Sequence, residues 1–225
     1  MRQIFLDTET TGLYPDQGHR IIEVAAIETI NRRPTGNHFH QYINPEREID
    51  AAAQNVHGIT QEFLQDKPLF ESIANDFSEF VKGAELIIHN APFDVGFLNS
   101  ELGRLGLKPV QEICDTITDT LKMAKDARPG QRNNLDALCR HFEIDNSRRT
   151  LHGALLDAEL LAEVYMALTR GQDSLMIDLE HSDVEAKATA NKNRGALKVL
   201  MADDVESAAH ESYLQGLGDK DTPHW

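Results

Sequence analysis

Three segments near the start of the chain have the apolar pattern of β-strands. They lie at about residues 3 to 8, 21 to 31 and 38 to 43, are rich in Ile, Val, Phe or Tyr, and end at polar residues or Pro. Their connections are short, so we expect an antiparallel meander. A continuous apolar run at residues 86 to 88 predicts a further, buried strand.

Helices are predicted where apolar residues recur every three to four positions. One such stripe lies between residues 69 and 82, ends before Gly83, and consists of Phe70, Ile73, Phe77, Phe80 and Val81. Further helices are predicted at about 92 to 105, 116 to 125, 135 to 142 and 153 to 169, with a short strand near Ile113. Together these elements predict an α/β domain with a mixed sheet.

Composition places the chain among soluble globular proteins. Its 225 residues are 40% hydrophobic and 26% charged, which suits one domain of ordinary size and an appendage. No apolar stretch approaches the ~20 residues that span a bilayer, and the first residues lead into a strand, so we expect a cytoplasmic protein. Cys114 and Cys139 lack a zinc-binding spacing, and we expect both to be buried free thiols.

The formal net charge of -15 argues against a broad basic surface for nucleic acid. A polyanionic substrate would have to be held in another way. Divalent metals can supply local positive charge, and a partner protein can supply the remaining affinity for the substrate. The acidity therefore restricts the mechanism without excluding DNA.

The first candidate site is the end of the first predicted strand. Here Ile4-Phe5-Leu6 leads into Asp7-Thr8-Glu9-Thr10-Thr11-Gly12. Side chains at i and i+2 of a strand point the same way, so Asp7 and Glu9 can converge on one hard cation. The alternative is a solvated strand end, because the Asp-x-Glu spacing also occurs elsewhere in the chain, starting at Asp157, Asp178, Asp183 and Asp204.

Two further acids lie on the apolar faces of predicted helices. Asp94 follows His89-Asn90-Ala91-Pro92-Phe93 in a first helical turn, and Asp157 ends Leu151-His152-Gly153-Ala154-Leu155-Leu156-Asp157. For Asp94 the alternative is a simple interaction with the helix dipole. Carboxylates gathered at one inner edge would repel each other unless cations balanced them. Oxygen ligands favour Mg²⁺ or Mn²⁺, and four acids fit a two-metal site.

A general base is also needed to take a proton from the attacking water, and histidine suits this role. His89 precedes Asp94 by five residues and His152 precedes Asp157 by five, so the interval does not choose between them. His89 closes a strand immediately before a helix cap. His152 precedes Gly153 in a flexible approach to its helix, which favours His152.

These motifs resemble those of the DEDDh 3′→5′ exonucleases, whose three motifs are matched in order by Asp7-Thr8-Glu9, by residues 90 to 94 and by residues 152 to 157. Val56-His57-Gly58-Ile59-Thr60 and Arg149-Thr150-Leu151-His152-Gly153-Ala154 extend the likeness to the proofreading members that accompany a bacterial replicative DNA polymerase. The resemblance covers the whole length. It implies a ribonuclease H-like fold, in agreement with the mixed α/β prediction.

The resemblance also implies roles for the acids and for His152. Asp7 would bind both of two Mg²⁺ or Mn²⁺ ions, Glu9 and Asp157 would complete one site, and Asp94 would support the second. His152 would be the general base for water attack on the terminal phosphodiester of a single-stranded or frayed DNA 3′ end, with release of a nucleoside monophosphate.

Contacts to the terminal nucleotide follow from the same resemblance. His57 would contact it, and Ala52 stands at a nearby position where relatives can carry an acid. Leu13 and Phe93 would pack against the base or sugar, since stacking tolerates any sequence. Core packing is an alternative explanation for Leu13 and Phe93.

After residue 171 the composition changes, and we expect the exonuclease domain, residues 1–171, to end there. Residues 172–195 would hold a clamp-binding motif and a flexible linker, because residues 172–177 are similar to sliding-clamp peptides of the family, with Gln172, Leu175, Met176 and Ile177 as the contacts. The resemblance implies that residues 196–225 form a flexible tail that binds the polymerase catalytic subunit. For residues 172–177 the alternative is a simple helix termination. For residues 196–225 the alternative is a terminal helix packed on the domain.

The resemblance thus implies a proofreading 3′→5′ DNA exonuclease. A small accessory subunit often accompanies such enzymes, and no membrane association is expected. An exonuclease of the same fold that trims RNA 3′ ends is the alternative, and the tail argues against it. A noncatalytic binding module would have no need for clustered inward carboxylates.

Overall fold

Five strands form one mixed sheet in the order β3-β2-β1-β4-β5. The computed structural model describes residues 1–170 and 203–216. The strands are β1 (Arg2–Thr10), β2 (Ile21–Ile30), β3 (Arg33–Tyr42), β4 (Glu85–Ile88) and β5 (Thr116–Asp119). Strands β1, β2 and β3 pair antiparallel, whereas β4 and β5 continue the sheet parallel to β1. The predicted meander and mixed sheet are confirmed.

Seven helices of the first described range surround the sheet or lie at its edge, and an eighth is described near the C-terminus. They are α1 (Ala51–His57), α2 (Gln61–Leu64), α3 (Phe70–Val81), α4 (Ala91–Arg104), α5 (Thr120–Ala127), α6 (Leu135–His141), α7 (Ala154–Leu168) and α8 (Asp204–Gly216). Short 3-10 helices occur at Pro15–Gln17 and Val110–Glu112.

Two apolar clusters lie on opposite faces of the sheet. Alternation along β1 turns Ile4 and Leu6 to one face, where they pack with residues of α3 and α4. Phe5 points to the other face and packs with residues of α6 and α7. Asp7 and Glu9 have the same parity as Phe5. The central strand therefore ends with its two acids on the side of α7.

Three predicted boundaries were wrong. The strand predicted near Ile113 is instead the end of a 3-10 helix, and residues 116 to 119, predicted as helix, form β5. Thr and Asp fill most of this short, half-exposed strand, so its apolar pattern is weak. Strand β3 begins at Arg33 because Asn31 and Arg32, both with positive φ, close a tight hairpin to β2.

The short helices α1 and α2 were not predicted, since they bury little apolar surface: the only buried residue of α1 is His57. Both cysteines are buried free thiols, as expected. Helix α8 belongs to a separate unit of the chain, and its described side chains are exposed. No helix in the two described ranges is long and apolar enough to cross a membrane. The predicted clamp-binding residues and most of the predicted linker and tail lie outside those ranges.

Candidate active site

The end of β1 supplies two of the predicted acids. Asp7 is partly exposed and Glu9 is buried, with 8% of its surface accessible. Thr8, between them, points to the opposite face of the sheet and donates a hydrogen bond from Oγ1 to Oδ1 of Asp94 at 2.7 Å. The strand thus presents two carboxylates on one side and holds a third from the other.

Asp94 enters the site from the first turn of α4. Asn90 precedes this helix in the left-handed conformation, with φ of 68°, and Pro92 lies in its first turn. The backbone N–H of Asn90 donates a hydrogen bond to the carboxylate of Asp119 at 3.1 Å. This sharp change of direction after β4 places Asp94 beside Thr8, where the Asp94 side chain is only 3% exposed.

Asp157 enters from the first turn of α7, on the other face of the sheet. Its side chain is buried, and Arg149 contacts both of its carboxylate oxygens, with Nε to Oδ1 and Nη2 to Oδ2 each at 2.6 Å. The start of α7 is itself held by Glu23, whose Oε2 accepts the N–H of Ala154 at 3.2 Å. Three separate elements therefore bring the four predicted acids together.

The pKa values of three of these acids are raised. Burial and the charges of Asp94, Glu9 and Asp157 raise the pKa of Asp7 well above its ordinary value. Burial, followed by the charges of Asp157 and Glu23, raises the pKa of Glu9 to about 8. Burial raises the pKa of Asp94 to about 7. Such clustering disfavours ionisation and would be relieved by a cation.

The donor set fits a divalent metal ion. Glu9, His152 and Asp157 each offer a ligand atom, and these atoms lie within 4.8 Å of one another. Asp7 shares the face of Glu9 and is coupled by charge to Asp94 and Asp157. Carboxylate oxygens without a thiolate are the ligands that hard ions prefer. Both the repulsion and the donor chemistry therefore match the metal that the sequence predicts.

The structure separates the two candidate histidines. His152 is 45% exposed at its side chain, and its Nδ1 lies 3.5 Å from Oδ2 of Asp157. His89 is partly buried, with Nδ1 2.9 Å from Oγ1 of Thr120. Burial lowers the pKa of both rings, and for His152 the charge of Arg149 lowers it further. Only His152 joins two of the acids in a group that could hold a metal, among the described residues.

The segment before His152 docks on the end of α1. The N–H of His152 donates to the carbonyl oxygen of Val56 at 3.1 Å. Gly58 has φ of 72°, and a Cβ atom there would lie 2.5 Å from Cδ1 of Leu151. The loop that carries His152 therefore packs against the Val56-His57-Gly58 motif.

The predicted nucleotide contacts have different surroundings. Leu13 is 66% exposed and Ala52 is exposed. Phe93 is half-buried and packs on Phe97, with ring centroids 5.0 Å apart, so part of its surface serves the core. His57 is buried, its Nδ1 accepts the N–H of Ile59 at 3.0 Å, and burial lowers its pKa.

Sequence reasoning gave no role to Arg149, Glu23 or Thr8. Thr8 orients Asp94, and Glu23 holds the start of α7, each across a long stretch of the chain. Arg149 compensates Asp157, which lies eight residues after it. An inward carboxylate on an apolar stripe requires a partner, and this requirement was the signal that could have identified Arg149.

The chain is similar to known proteins in both sequence and fold. A family model described as exonuclease matches residues 4–165. The chain is similar to DNA polymerase III subunit epsilon of Salmonella typhimurium, with 49% identity over 224 residues that cover 95% of this chain and 92% of that protein.

Two solved structures share the fold. One is Escherichia coli exonuclease I in complex with a dT13 oligonucleotide, with a TM-score of 0.68 and 21% identity over 80% of this chain and 43% of that chain. The other is the nuclease domain of 3′hExo, a DEDDh family member bound to rAMP, with a TM-score of 0.63 and 21% identity over 76% of this chain and 92% of that chain. The predicted ribonuclease H-like fold is confirmed. Since one structure holds DNA and the other a ribonucleotide, the fold alone does not choose the substrate.

Proposed function

This chain belongs to the exonuclease family that includes the DNA polymerase III epsilon subunits, and we propose that it is the proofreading 3′→5′ DNA exonuclease subunit of a replicative DNA polymerase. The observation that carries the proposal is the convergence of four carboxylates from β1, α4 and α7, of which three have raised pKa values. Acids in such a state need a cation, and a phosphodiester end would then meet positive charge in an otherwise acidic protein.

The metal ligands are the four acids. Asp7 would serve two Mg²⁺ or Mn²⁺ ions, Glu9 and Asp157 would complete one site, and Asp94 would support the other. Bound ions of this kind activate water and stabilise the leaving oxygen of a phosphate ester. Thr8 fixes one oxygen of Asp94 through its hydrogen bond.

His152 is the proposed general base. Its side chain is accessible to solvent and lies at the rim of the acid cluster, where an attacking water could reach it. The lowered pKa of the imidazole keeps it neutral at neutral pH, and only a neutral ring can accept a proton. The terminal nucleotide would contact His57, with Leu13, Phe93 and Ala52 around it.

Affinity for DNA would come in part from partners, since the net charge of -15 gives the chain little electrostatic attraction for phosphates. We place the exonuclease domain at residues 1–171, a sliding-clamp motif at 172–177 followed by a linker to residue 195, and the polymerase-binding segment at 196–225. Tethering to the polymerase would raise the local concentration of the nuclease at a primer end.

The test is digestion of 5′-labelled primers by the purified full chain. Four substrates of one sequence are compared: single-stranded DNA, a matched primer on its template, a primer with a mismatched 3′ nucleotide, and RNA. Each is incubated with Mg²⁺, with Mn²⁺ or with a chelator. We expect metal-dependent release of nucleoside monophosphates, faster from the mismatched than from the matched DNA end and slowest from RNA.

Asp7→Ala and Glu9→Ala should abolish digestion while the fold stays intact. Asp126→Ala is the matched control, since Asp126 is an exposed acid whose contact is Lys122 at 4.0 Å. Digestion of RNA as fast as DNA, with no binding to a purified polymerase subunit, would replace the proposal with an RNA-trimming exonuclease. Unchanged digestion by Asp7→Ala would remove the metal site from the proposal.

A further inference from the structure

Arg149 is a buried cation inside the acid cluster. Its side chain is 6% exposed, and its guanidinium faces the two oxygens of Asp157 in a two-pronged contact. This geometry is the strongest that an arginine makes with a carboxylate. Arg149 therefore occupies the two carboxylate oxygens of Asp157 that a metal ion would need.

A second carboxylate holds the same guanidinium from the outer side. Nη1 of Arg149 lies 2.7 Å from Oδ1 of Asp136, a residue of α6 whose side chain is 37% exposed. If the contact with Asp157 is broken, Asp136 still provides a partner. The charge of Arg149 would not be left unpaired in the protein interior, so displacement from Asp157 is not prohibitively costly.

The third contact of Arg149 concerns the proposed general base. Nη2 lies 2.9 Å from Nδ1 of His152. A guanidinium can only donate, so this nitrogen of the histidine must accept, and the hydrogen of a neutral ring then sits on Nε2. With Nδ1 engaged and Nε2 protonated, neither nitrogen of His152 is free to take a proton from water. The arrangement is a resting one.

We propose that Arg149 is a displaceable internal cation that holds Asp157 and His152 in this resting arrangement. When a divalent metal ion binds Asp157, Arg149 leaves that carboxylate and stays paired with Asp136. The inference rests on the proposed function only in requiring a metal at the acid cluster. It makes Arg149 a positioning residue that couples metal loading to release of His152.

Metal binding by the DNA-free protein tests the competition directly. Mn²⁺ affinity is measured by calorimetry, and thermal unfolding is followed with a chelator and with Mn²⁺. For Arg149→Gln we expect about tenfold tighter Mn²⁺ binding, a lower unfolding temperature without metal, and a larger rise on adding Mn²⁺. Arg149→Lys keeps the charge but loses the two-pronged contact, and we expect a smaller gain in affinity than for Arg149→Gln.

Arg148→Gln is the matched control. It removes the same charge one residue away, but Arg148 is 76% exposed and contacts Glu159 at 3.7 Å. Its Mn²⁺ affinity and metal-free unfolding temperature should equal those of the wild type. If Arg149→Gln bound Mn²⁺ no more tightly than Arg148→Gln, the competition would be refuted. If Arg149→Lys matched the wild type while Arg149→Gln bound more tightly, the effect would be one of charge alone, and the proposed displacement would fail.

The wild-type histidine provides a readout that does not depend on any variant folding. In ¹⁵N-labelled protein, the nitrogen shifts of His152 distinguish an accepting Nδ1 from a protonated one. We expect the shift of an Nδ1 that accepts from a guanidinium without metal, and a change in that shift on saturation with diamagnetic Mg²⁺ as the hydrogen bond from Arg149 is lost. An unaltered Nδ1 shift in the saturated protein would overturn the coupling. Digestion of DNA by the same preparation tests the proposed function separately, so failure of one can be told from failure of the other.

Discussion

Glu9 lies directly opposite Glu23 in the antiparallel pair of β1 and β2. Like charges at such positions are normally unfavourable, and here the two carboxylates have different partners. Glu23 contacts Nε2 of His40 at 2.7 Å and accepts the N–H of Ala154, whereas Glu9 belongs to the acid cluster. Glu23 thus connects β2 with the first turn of α7, and its charge raises the pKa of Glu9.

Glu23→Gln should change the pH dependence of metal binding. The amide can still accept the N–H of Ala154, so the start of α7 should stay in place, but one negative charge beside Glu9 is lost. The pKa of Glu9 should fall, and Mn²⁺ binding should begin at a lower pH than in the wild type. Calorimetric titrations at several pH values measure this shift.

Glu28→Gln is a suitable comparison, because Glu28 lies on the same strand, is buried, and pairs with Arg2 and Thr35 away from the site. Its metal binding should keep the wild-type pH dependence. An equal shift in both variants would show that the opposition of Glu9 and Glu23 is not the cause.

Asp7→Asn should separate activity from stability. Loss of this proposed metal ligand should reduce DNA digestion about 1,000-fold or more, which corresponds to about 4 kcal/mol of transition-state stabilisation. The metal-free variant should nevertheless unfold at a higher temperature than the metal-free wild type, by about 2–4 °C, because one of the repelling carboxylates becomes neutral.

Differential scanning calorimetry in a chelator, together with primer digestion in Mg²⁺, checks both halves of this expectation. Asp126→Asn should alter neither quantity. A metal-free Asp7→Asn protein that unfolded below the wild type would mean that Asp7 contributes to stability rather than opposing it.

Gly58→Ala should impair the loop that carries His152. Its Cβ would collide with Leu151, and the contact between Val56 and His152 would be disturbed. We expect kcat to fall about tenfold or more, while Mn²⁺ binding to the acids stays close to that of the wild type. Steady-state digestion kinetics and calorimetry measure the two effects.

Gly106→Ala is the control for backbone strain. Gly106 has φ of 67°, close to that of Gly58, but a Cβ there would meet no atom within 4 Å. Both variants should lose about 1 kcal/mol of stability through backbone strain, and Gly58→Ala should lose more because of its contact with Leu151. Only Gly58→Ala should lose activity. Equal loss of activity in the two would assign the effect to general destabilisation.

The acid cluster also predicts how the stability of the metal-free protein depends on pH. Glu9 has a folded-state pKa of about 8, above its ordinary value of 4.5, so the folded chain binds this proton more tightly than the unfolded chain. The associated stability is fully present below about pH 4.5 and is lost as the pH rises through about 8.

Chemical denaturation at intervals of pH tests this expectation. The free energy of unfolding in a chelator should decline across that range, and saturating Mg²⁺ should remove most of the decline. Glu9→Gln, which has no proton to lose there, should show a shallower slope without metal. A slope as steep as that of the wild type would place the titrating group elsewhere.

Much of the fold and the four acids could be predicted, because two acids follow directly after an apolar strand and the other two interrupt the apolar stripes of helices. Asp94 and Asp157 lie on stripes that otherwise consist of core residues, and both are buried as expected. Strand β5 was missed because parallel pairing with β4, rather than apolar residues of its own, holds it in the sheet. In the sequence, the end of β5 is marked by Asp119, which caps the start of α5.

The residues that control the acids could not be identified from local pattern. Glu23 meets Ala154 across 131 positions of the chain, and Thr8 meets Asp94 across 86. Such pairings depend on which face of the sheet each helix covers, and the sequence does not specify this. Arg149 and Asp157 are close in the sequence, but whether Arg149 pairs with Asp157 or with another nearby acid depends on the path of the loop before α7.

The arrangement of α4 and α7 on opposite faces of the sheet has a consequence for folding during synthesis. Asp94 depends on one apolar cluster and Asp157 on the other, so a chain with only one face assembled lacks part of the acid cluster. Helix α7 is also the last helix of the first described range. A nascent chain still on the ribosome should therefore lack the assembled acid cluster until this helix emerges and packs.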